Sequence, residues 1–220
     1  MKLRYLSIFA AMTLCSVAAF AQNPVTTDSP FQVRYASNLP SGDSFINITN
    51  TGASGAAFQA GTSASITGAL CANVYTFSPD EQLISCCSCP VTPDGLVSLS
   101  ARNDLISNTL TPAVPTSIVI KLLATRPVGG SCTNSAATVA AGATLVPGML
   151  AWGTSIHPLP VTPGSPAGTF AMTESRFEPS TLSAGELDRI GNLCGFIVAN
   201  GSGFGVCRSC RLGGLASLEP

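Results

Sequence analysis

Cysteine narrows the ways in which this chain can fold, because nine cysteines occur among its 220 residues. Cys15 lies in the N-terminal segment 1–21, which has the features of an export signal. The other eight are Cys71, Cys86, Cys87, Cys89, Cys132, Cys194, Cys207 and Cys210. An even set of cysteines in an exported chain is typical of disulfide bonds, since export leads into an oxidising compartment. The sequence therefore predicts complete pairing, whereas the number of possible pairings leaves the connectivity open.

The N-terminus has the features of a secretory signal peptide. Residues 1–5 include two basic side chains, residues 6–20 are apolar, and Ala-Phe-Ala at 19–21 places small residues where a signal peptidase reads. A membrane anchor needs about 20 apolar residues, and the polar Gln22 follows at once. We expect residues 1–21 to be removed and the mature chain to be secreted or periplasmic.

The charge of the chain is low and balanced. Lys and Arg together number 10 against 11 Asp and Glu, and only 10% of residues are charged, whereas soluble domains average about 25%. Nucleic-acid binding needs a positive surface, so we expect no nucleic-acid partner. The most apolar later stretch, 136–152, is broken by Gly142, Pro147 and Gly148, so we expect no membrane span in the mature chain.

Short β-type runs account for most of the mature sequence. Glycine, proline, asparagine and serine separate them, which favours a β-sandwich or a barrel-like sheet. The predicted strands cover 31–35, 45–50, a hairpin over 70–89 that turns at 78–81, 96–100, 117–123, 149–156 and 169–177. We predict a single, mainly β, disulfide-stapled domain over residues 31–215, after a flexible lead-in at 22–30.

One C-terminal helix is predicted after the strands. Ser183 and Glu186 fit a capping box, in which the serine hydroxyl caps the first turn and the glutamate reaches back. The apolar residues that follow recur at spacings of three and four, and Gly201 suits the end of the helix. The predicted buried face consists of Leu187, Ile190, Cys194 and Ile197.

The hairpin suggests which cysteines pair. Folding the chain about the turn at 78–81 places Cys71 opposite Ser88 or Cys89, so we expect a Cys71–Cys89 bond, or Cys71–Cys87 as the near alternative. Adjacent residues of a strand point to opposite faces, so Cys86 and Cys87 should bond to different partners. Those partners are expected among Cys132, Cys194, Cys207 and Cys210.

Two Cys-x-x-Cys pairs raise a metal-binding alternative. Cys86 with Cys89 and Cys207 with Cys210 have the spacing of zinc knuckles. The two pairs lie far apart in the sequence, whereas compact zinc ribbons use much shorter separations. We predict structural disulfides with no metal or other cofactor, and we keep a four-cysteine zinc site as an alternative.

Candidates for catalysis are few. His157 is the only histidine, and no G-x-S-x-G nucleophile motif occurs. Glu174 and Glu178 could pair with another acid for glycoside hydrolysis. We assign no catalytic residue and expect an exported, non-enzymatic structural or binding module, whose partner is an extracytoplasmic protein or polysaccharide. A secreted hydrolase that uses His157 or an acidic pair is the second hypothesis.

Two segments carry a resemblance to known sequences. The run from Ala69 to Leu96 contains Cys-Cys-Ser-Cys-Pro at 86–90, and a Gly- and Cys-rich segment follows at 201–210. Together they resemble a group of secreted, uncharacterised bacterial Cys-rich proteins. The resemblance implies export and disulfide stapling, and it adds no activity and no catalytic residue.

Overall fold

Two packed β-sheets and a C-terminal helix form the domain. The structure is a computed structural model that describes residues 29–56, 67–128, 131–132, 145–160, 163–164, 169–202 and 205–211. Its strands are β1 (Phe31–Ala36), β2 (Phe45–Asn50), β3 (Leu70–Phe77), β4 (Leu83–Val91), β5 (Leu96–Ser100), β6 (Ile118–Thr125), β7 (Met149–Pro158), β8 (Phe170–Arg176), β9 (Glu178–Pro179) and β10 (Gly205–Val206). Its helical elements are a 3-10 turn (Leu39–Ser41), a π-helical turn (Ala101–Leu105), α1 (Ala184–Ala199) and α2 (Arg208–Arg211).

The strands divide into a six-stranded and a four-stranded sheet. The six-stranded sheet has the order β10-β4-β3-β6-β1-β9, and the four-stranded sheet has the order β5-β2-β7-β8. All pairs are antiparallel except β10 with β4. The prediction of a mainly β sandwich with one C-terminal helix is confirmed. The predicted signal peptide, residues 22–28 of the lead-in and residues 212–215 of the predicted domain lie outside the described residues.

Strand β3 is buried along its whole length because both of its faces are covered. Leu70, Ala72 and Val74 point between the two sheets and join the main core. Tyr75 and Phe77 alternate with them and pack with the apolar face of α1. This explains why the strand has a continuous buried pattern where a half-exposed strand would alternate.

Helix α1 begins with a serine cap, as predicted. The Ser183 Oγ accepts a hydrogen bond from the Glu186 backbone N–H at 3.1 Å. The second half of the predicted capping box is wrong, because the Glu186 carboxylate pairs with Lys121 Nζ at 2.6 Å. Gly201 has a positive φ of 86° just beyond the helix, a conformation that glycine adopts without strain.

The apolar face predicted for α1 is confirmed. Ile190, Cys194 and Ile197 are buried, and Leu187 packs at the edge of the same cluster. This cluster lies on the outward face of the six-stranded sheet.

Within the described chain, no helix is long and apolar enough to cross a membrane.

Four disulfides join the eight cysteines beyond residue 21. They are Cys71–Cys132, Cys86–Cys194, Cys87–Cys207 and Cys89–Cys210, with Cα–Cα distances of 5.4, 5.9, 4.8 and 5.6 Å. These separations lie within the usual range for disulfide bonds. As predicted from alternation along the strand, Cys86 and Cys87 bond to different partners.

The predicted Cys71–Cys89 bond and its Cys71–Cys87 alternative are wrong. Phe77 pairs with Leu83, and a regular hairpin from that pair would place Cys71 opposite Cys89. A β-bulge at Ile84 shifts the register by one residue, so that Cys71 lies opposite Pro90. Because a one-residue shift exchanges the two faces of a strand, Cys71 points outward, whereas Cys87 and Cys89 point into the sandwich core.

Candidate binding face

A row of four side chains crosses the outward face of the four-stranded sheet. Ser98 of β5 lies opposite Asn47 of β2, Asn47 lies opposite Trp152 of β7, and Trp152 lies opposite Arg176 of β8. Directly opposed residues of antiparallel strands share one face. We call these four residues the indole row. The residues that alternate with them, such as Ile48, are buried in the core, so the row points away from it.

A short hydrogen-bond chain fixes the polar part of this face. The Ser98 hydroxyl donates to Asn47 Oδ1 at 2.8 Å, and Asn47 Nδ2 donates to Glu174 Oε1 at 2.7 Å. A carboxylate offers about four lone-pair sites and an amide offers two N–H donors. These bonds orient the side chains and leave donor and acceptor capacity on the outward face.

Trp152 is the centre of the row and the only tryptophan in the chain. Its indole is half-buried, and the Arg176 guanidinium carbon lies over the ring at 5.6 Å from the centroid. Such a contact is a cation–π interaction, in which the negative face of the ring attracts the guanidinium charge. The neighbouring Leu96 is 65% exposed and Phe45 is 37% exposed. The face therefore combines aromatic, aliphatic and hydrogen-bonding groups.

Arg34 of β1 supports the row from the inside of the sandwich. Its Nη2 donates to Ser155 Oγ at 2.7 Å, and its Nη1 donates to the Ser175 carbonyl at 3.0 Å and to the Ser175 hydroxyl. Burial lowers the pKa of Arg34, while the carboxylates of Glu174 and Glu178 act in the opposite direction. The arginine thus ties β7 and β8 to the other sheet.

Gly153 makes room for this arginine. A Cβ at that position would lie 2.5 Å from Arg34 Nε and 3.2 Å from the Phe177 ring. Gly153 immediately follows Trp152, so a side chain at this position would lie on the inward face of the sheet. Because glycine has none, the Arg34 guanidinium can lie directly beneath the indole row.

The structure places the residues considered for hydrolysis on three different strands. His157 is exposed in β7, and its Nε2 lies 2.8 Å from Thr173 Oγ1; among the described residues it has no hydrogen-bonded carboxylate. Glu174 lies on β8 of the four-stranded sheet, whereas Glu178 lies on β9 of the six-stranded sheet. The hydrolase hypothesis stays a prediction without a supporting arrangement in this part of the chain.

The four cysteines considered for zinc do not meet. Cys86 points outward and bonds to Cys194 beneath α1. The sulfurs of Cys89, Cys207 and Cys210 lie on the other side of the sheet, within 4.8 Å of one another. The predicted set of Cys86, Cys89, Cys207 and Cys210 therefore shares only three members with the sulfur cluster in the structure.

Two cavities lie away from the indole row. One, of about 300 Å³, includes Phe77, Lys121, Glu186 and Arg189 in its lining. Its cations lie over the Phe77 ring and pair with the Glu186 carboxylate, so its charges are largely compensated internally. The other, of about 450 Å³, is a mostly apolar groove beside Leu39. Neither cavity includes a member of the indole row among its lining residues.

Sequence reasoning missed the indole row because its members come from four separate strands. Each strand shows the alternation that predicts an outward side chain, yet only the register between strands places Ser98, Asn47, Trp152 and Arg176 side by side. The single tryptophan was the one available signal. Comparison with known proteins adds no further guide, since no family model, curated protein or solved structure matches this chain.

Proposed function

We propose that this protein is an exported, non-enzymatic binding module that takes a polysaccharide on its indole row. The observation that carries the proposal is the position of Trp152, flanked on one exposed sheet face by the Asn47 amide and the Arg176 guanidinium. A half-buried tryptophan beside ordered polar groups is suited to recognition, since it presents a large, rigid surface at low entropic cost.

The chemistry of a sugar ring matches this arrangement. One side of a pyranose presents several C–H groups, which carry partial positive charge and pack on the negative face of an aromatic ring. Its rim presents hydroxyl groups that both donate and accept hydrogen bonds. Asn47 and Ser98 can exchange hydrogen bonds with such hydroxyls, the Glu174 carboxylate can accept them, and the Arg176 guanidinium can donate them.

Preorganisation favours binding at this face. The Ser98–Asn47–Glu174 chain already fixes three side chains. Binding a ligand costs less entropy when the groups that contact it are held in place beforehand. Asn47 is also in the strand adjacent to Trp152, so a ligand stacked on the indole would lie within reach of the amide.

Charge favours a neutral ligand over an anionic one. Only 10% of the chain is charged, and its formal net charge is −1. The outward face around the row contains one carboxylate, Glu174, and one guanidinium, Arg176, so the two charges balance. A neutral polysaccharide suits this balance, because an anionic one would be attracted by an excess of positive charge that these two groups do not provide.

The four disulfides support an extracytoplasmic setting for this role. Disulfide-rich domains are typical of oxidising compartments, and polysaccharides are abundant in bacterial envelopes and extracellular matrices. The expected signal peptide at residues 1–21 is consistent with the same setting. Export and the ligand are both parts of the proposal.

The test of binding is co-sedimentation of the mature chain with insoluble cellulose, chitin and peptidoglycan. At least one polysaccharide should retain the protein, and Trp152→Ala should weaken retention about tenfold or more, as expected for a central aromatic contact. Tyr35→Ala is the matched control, because Tyr35 is a 61% exposed aromatic residue on the other sheet. Soluble fragments of the retained polysaccharide should also shift the emission of Trp152.

Two results would overturn the proposal. One is retention by none of the three polysaccharides, and the other is an equal loss in the Trp152→Ala and Tyr35→Ala variants. Capture of an exported protein through Trp152, with no polysaccharide retained, would make the partner a protein and would contradict the ligand class proposed here.

A further inference from the structure

Three sulfurs converge on the inward face of β4, and a fourth, that of Cys87, is disulfide-bonded to one of them. Cys87 and Cys89 alternate along this strand and point into the core. Strand β10 pairs with β4 in parallel, with Val206 opposite Ser88, and so delivers Cys207 beside them. Cys210 follows one turn later in α2, and the sulfurs of Cys89, Cys207 and Cys210 lie within 4.8 Å of one another.

We propose that the reduced protein binds one zinc-class divalent ion through Cys87, Cys89, Cys207 and Cys210. In the oxidised protein these residues form two disulfides. Each disulfide is cleaved by one external dithiol, which becomes a disulfide itself while two protein thiols form. The four thiols then bind the ion as thiolates and release their protons to solvent.

The distances suit a tetrahedral thiolate site. A Zn–S bond is about 2.3 Å, so tetrahedral sulfurs lie about 3.8 Å apart. Three of the sulfurs are already within 4.8 Å of one another, and the fourth, on Cys87, is bonded to Cys207. The Cys87 sulfur is not part of the 4.8 Å group, so on reduction a rotation of the Cys87 side chain has to bring it to metal distance from the other three. Cys207 and Cys210 also keep the Cys-x-x-Cys spacing of a zinc knuckle.

Contacts other than the disulfides hold the segment from Cys207 to Cys210 in place. The buried Asp104 carboxylate accepts the Ser209 backbone N–H at 2.7 Å and the Ser209 hydroxyl at 2.6 Å. The Cys207 N–H donates to the Ser88 carbonyl at 3.1 Å. Ser209 lies between Cys207 and Cys210, so these bonds keep both cysteines beside β4 once the bridges are cleaved.

The surroundings resemble those of a structural metal site. Cys87, Cys89 and Cys207 are fully buried, and Cys210 is half-buried against the same cluster. Structural zinc sites are closed to solvent and use four protein ligands. The remaining cysteines, in Cys71–Cys132 and Cys86–Cys194, lie on the outward face of the sheet, which provides an internal control.

The test uses the mature chain, reduced without oxygen by a tertiary phosphine and titrated with Co²⁺ as a spectroscopic substitute for Zn²⁺. One equivalent should produce thiolate-to-cobalt charge-transfer bands and tetrahedral visible bands, and Zn²⁺ should displace the colour. The double variant Cys86→Ser with Cys194→Ser should retain the cobalt bands and their loss on addition of Zn²⁺. Cys87→Ser with Cys207→Ser, and Cys89→Ser with Cys210→Ser, should each weaken binding at least tenfold.

Circular dichroism recorded during the titration separates a folded site from an unfolded chain. If the reduced chain loses structure, one equivalent of metal should restore it, since ligand binding to the folded state shifts the folding equilibrium. The absence of saturable binding would overturn the proposal. Binding that is weakened as much in the Cys86/Cys194 variant as in the Cys87/Cys207 and Cys89/Cys210 variants would show non-specific thiol chelation and would also overturn it. Binding that continues past one equivalent without recovery of structure would do the same.

Discussion

Cys86 and Cys87 are adjacent in β4, yet their disulfides lie on opposite faces of the six-stranded sheet. Cys86 bonds to Cys194 in the buried face of α1, whereas Cys87 bonds to Cys207 on the inward side. One dipeptide thus fastens the helix to the outside of the sheet and the C-terminal segment to its inside. Removing either bond should affect a different part of the molecule.

Loss of the outward bridge should release α1. We expect the double variant Cys86→Ser with Cys194→Ser to lose about 2–5 kcal/mol of unfolding free energy, measured by urea denaturation. Limited proteolysis should cleave within α1 before the strands. The matched variant Cys71→Ser with Cys132→Ser removes another outward bridge that does not reach α1, so it should leave the helix protected. Equal protection of α1 in both variants would contradict this role for Cys194.

A side chain at Gly153 should disrupt the packing of Arg34. Gly153→Ala places a Cβ 2.5 Å from Arg34 Nε, and such overpacking costs about 1–3 kcal/mol. Gly185→Ala in α1 is the control, because its Cβ would meet no atom within 4 Å and alanine is the better helix former. Thermal melting should show a lower Tm for Gly153→Ala and an equal or higher Tm for Gly185→Ala. A neutral Gly153→Ala substitution would refute the close packing inferred here.

The start of α1 depends on the Ser183 hydroxyl. Ser183→Ala removes the acceptor for the Glu186 N–H, and loss of an N-cap costs about 1 kcal/mol. Ser183→Asp keeps an acceptor at the same position and should retain most of the stability. Urea denaturation of the two variants tests this, and equal destabilisation would show that the hydroxyl bond contributes little.

Acid should weaken the contact between α1 and β6. Burial acts to raise the pKa of Glu186, but the hydrogen bond and charge of Lys121, with the charge of Arg189, outweigh it and lower the pKa. A lowered folded-state pKa means that the contribution is complete above the unfolded value of about 4.3 and is lost as the pH falls through the folded value. The side chains are about a quarter exposed, so we expect roughly 0.2–1 kcal/mol.

Glu186→Gln should reveal this contribution. Urea denaturation at pH 7 should find the variant less stable than the parent, and the difference should shrink as the pH is lowered below the unfolded value of about 4.3. In a Lys121→Met background the same substitution should have a smaller effect, because the main cation is absent. A difference that stays constant as the pH is lowered would assign the effect of Glu186→Gln to packing rather than to charge.

The sequence predicted most elements because alternation and capping are local properties. The predicted bounds of β2 and β5 match those of the structure, and the α1 cap is at Ser183 as expected. The first bridge was missed because one extra residue, Ile84, bulges from β4 and reverses the face on which Cys71 lies relative to Cys89. The indole row was missed for a related reason, since register across four strands is a non-local property.

Disulfide mapping tests most directly whether the bridges of β4 lie on both of its faces. Their division attaches α1 to the outward face of the sheet and places Cys87, Cys89, Cys207 and Cys210 on its inward side. The protein, produced with export into an oxidising compartment, should be digested without reduction and its linked peptides identified by mass spectrometry. We predict Cys71–Cys132, Cys86–Cys194, Cys87–Cys207 and Cys89–Cys210, with no free thiol among these eight. A Cys71–Cys89 or Cys71–Cys87 link, or free thiols at Cys207 and Cys210, would contradict it.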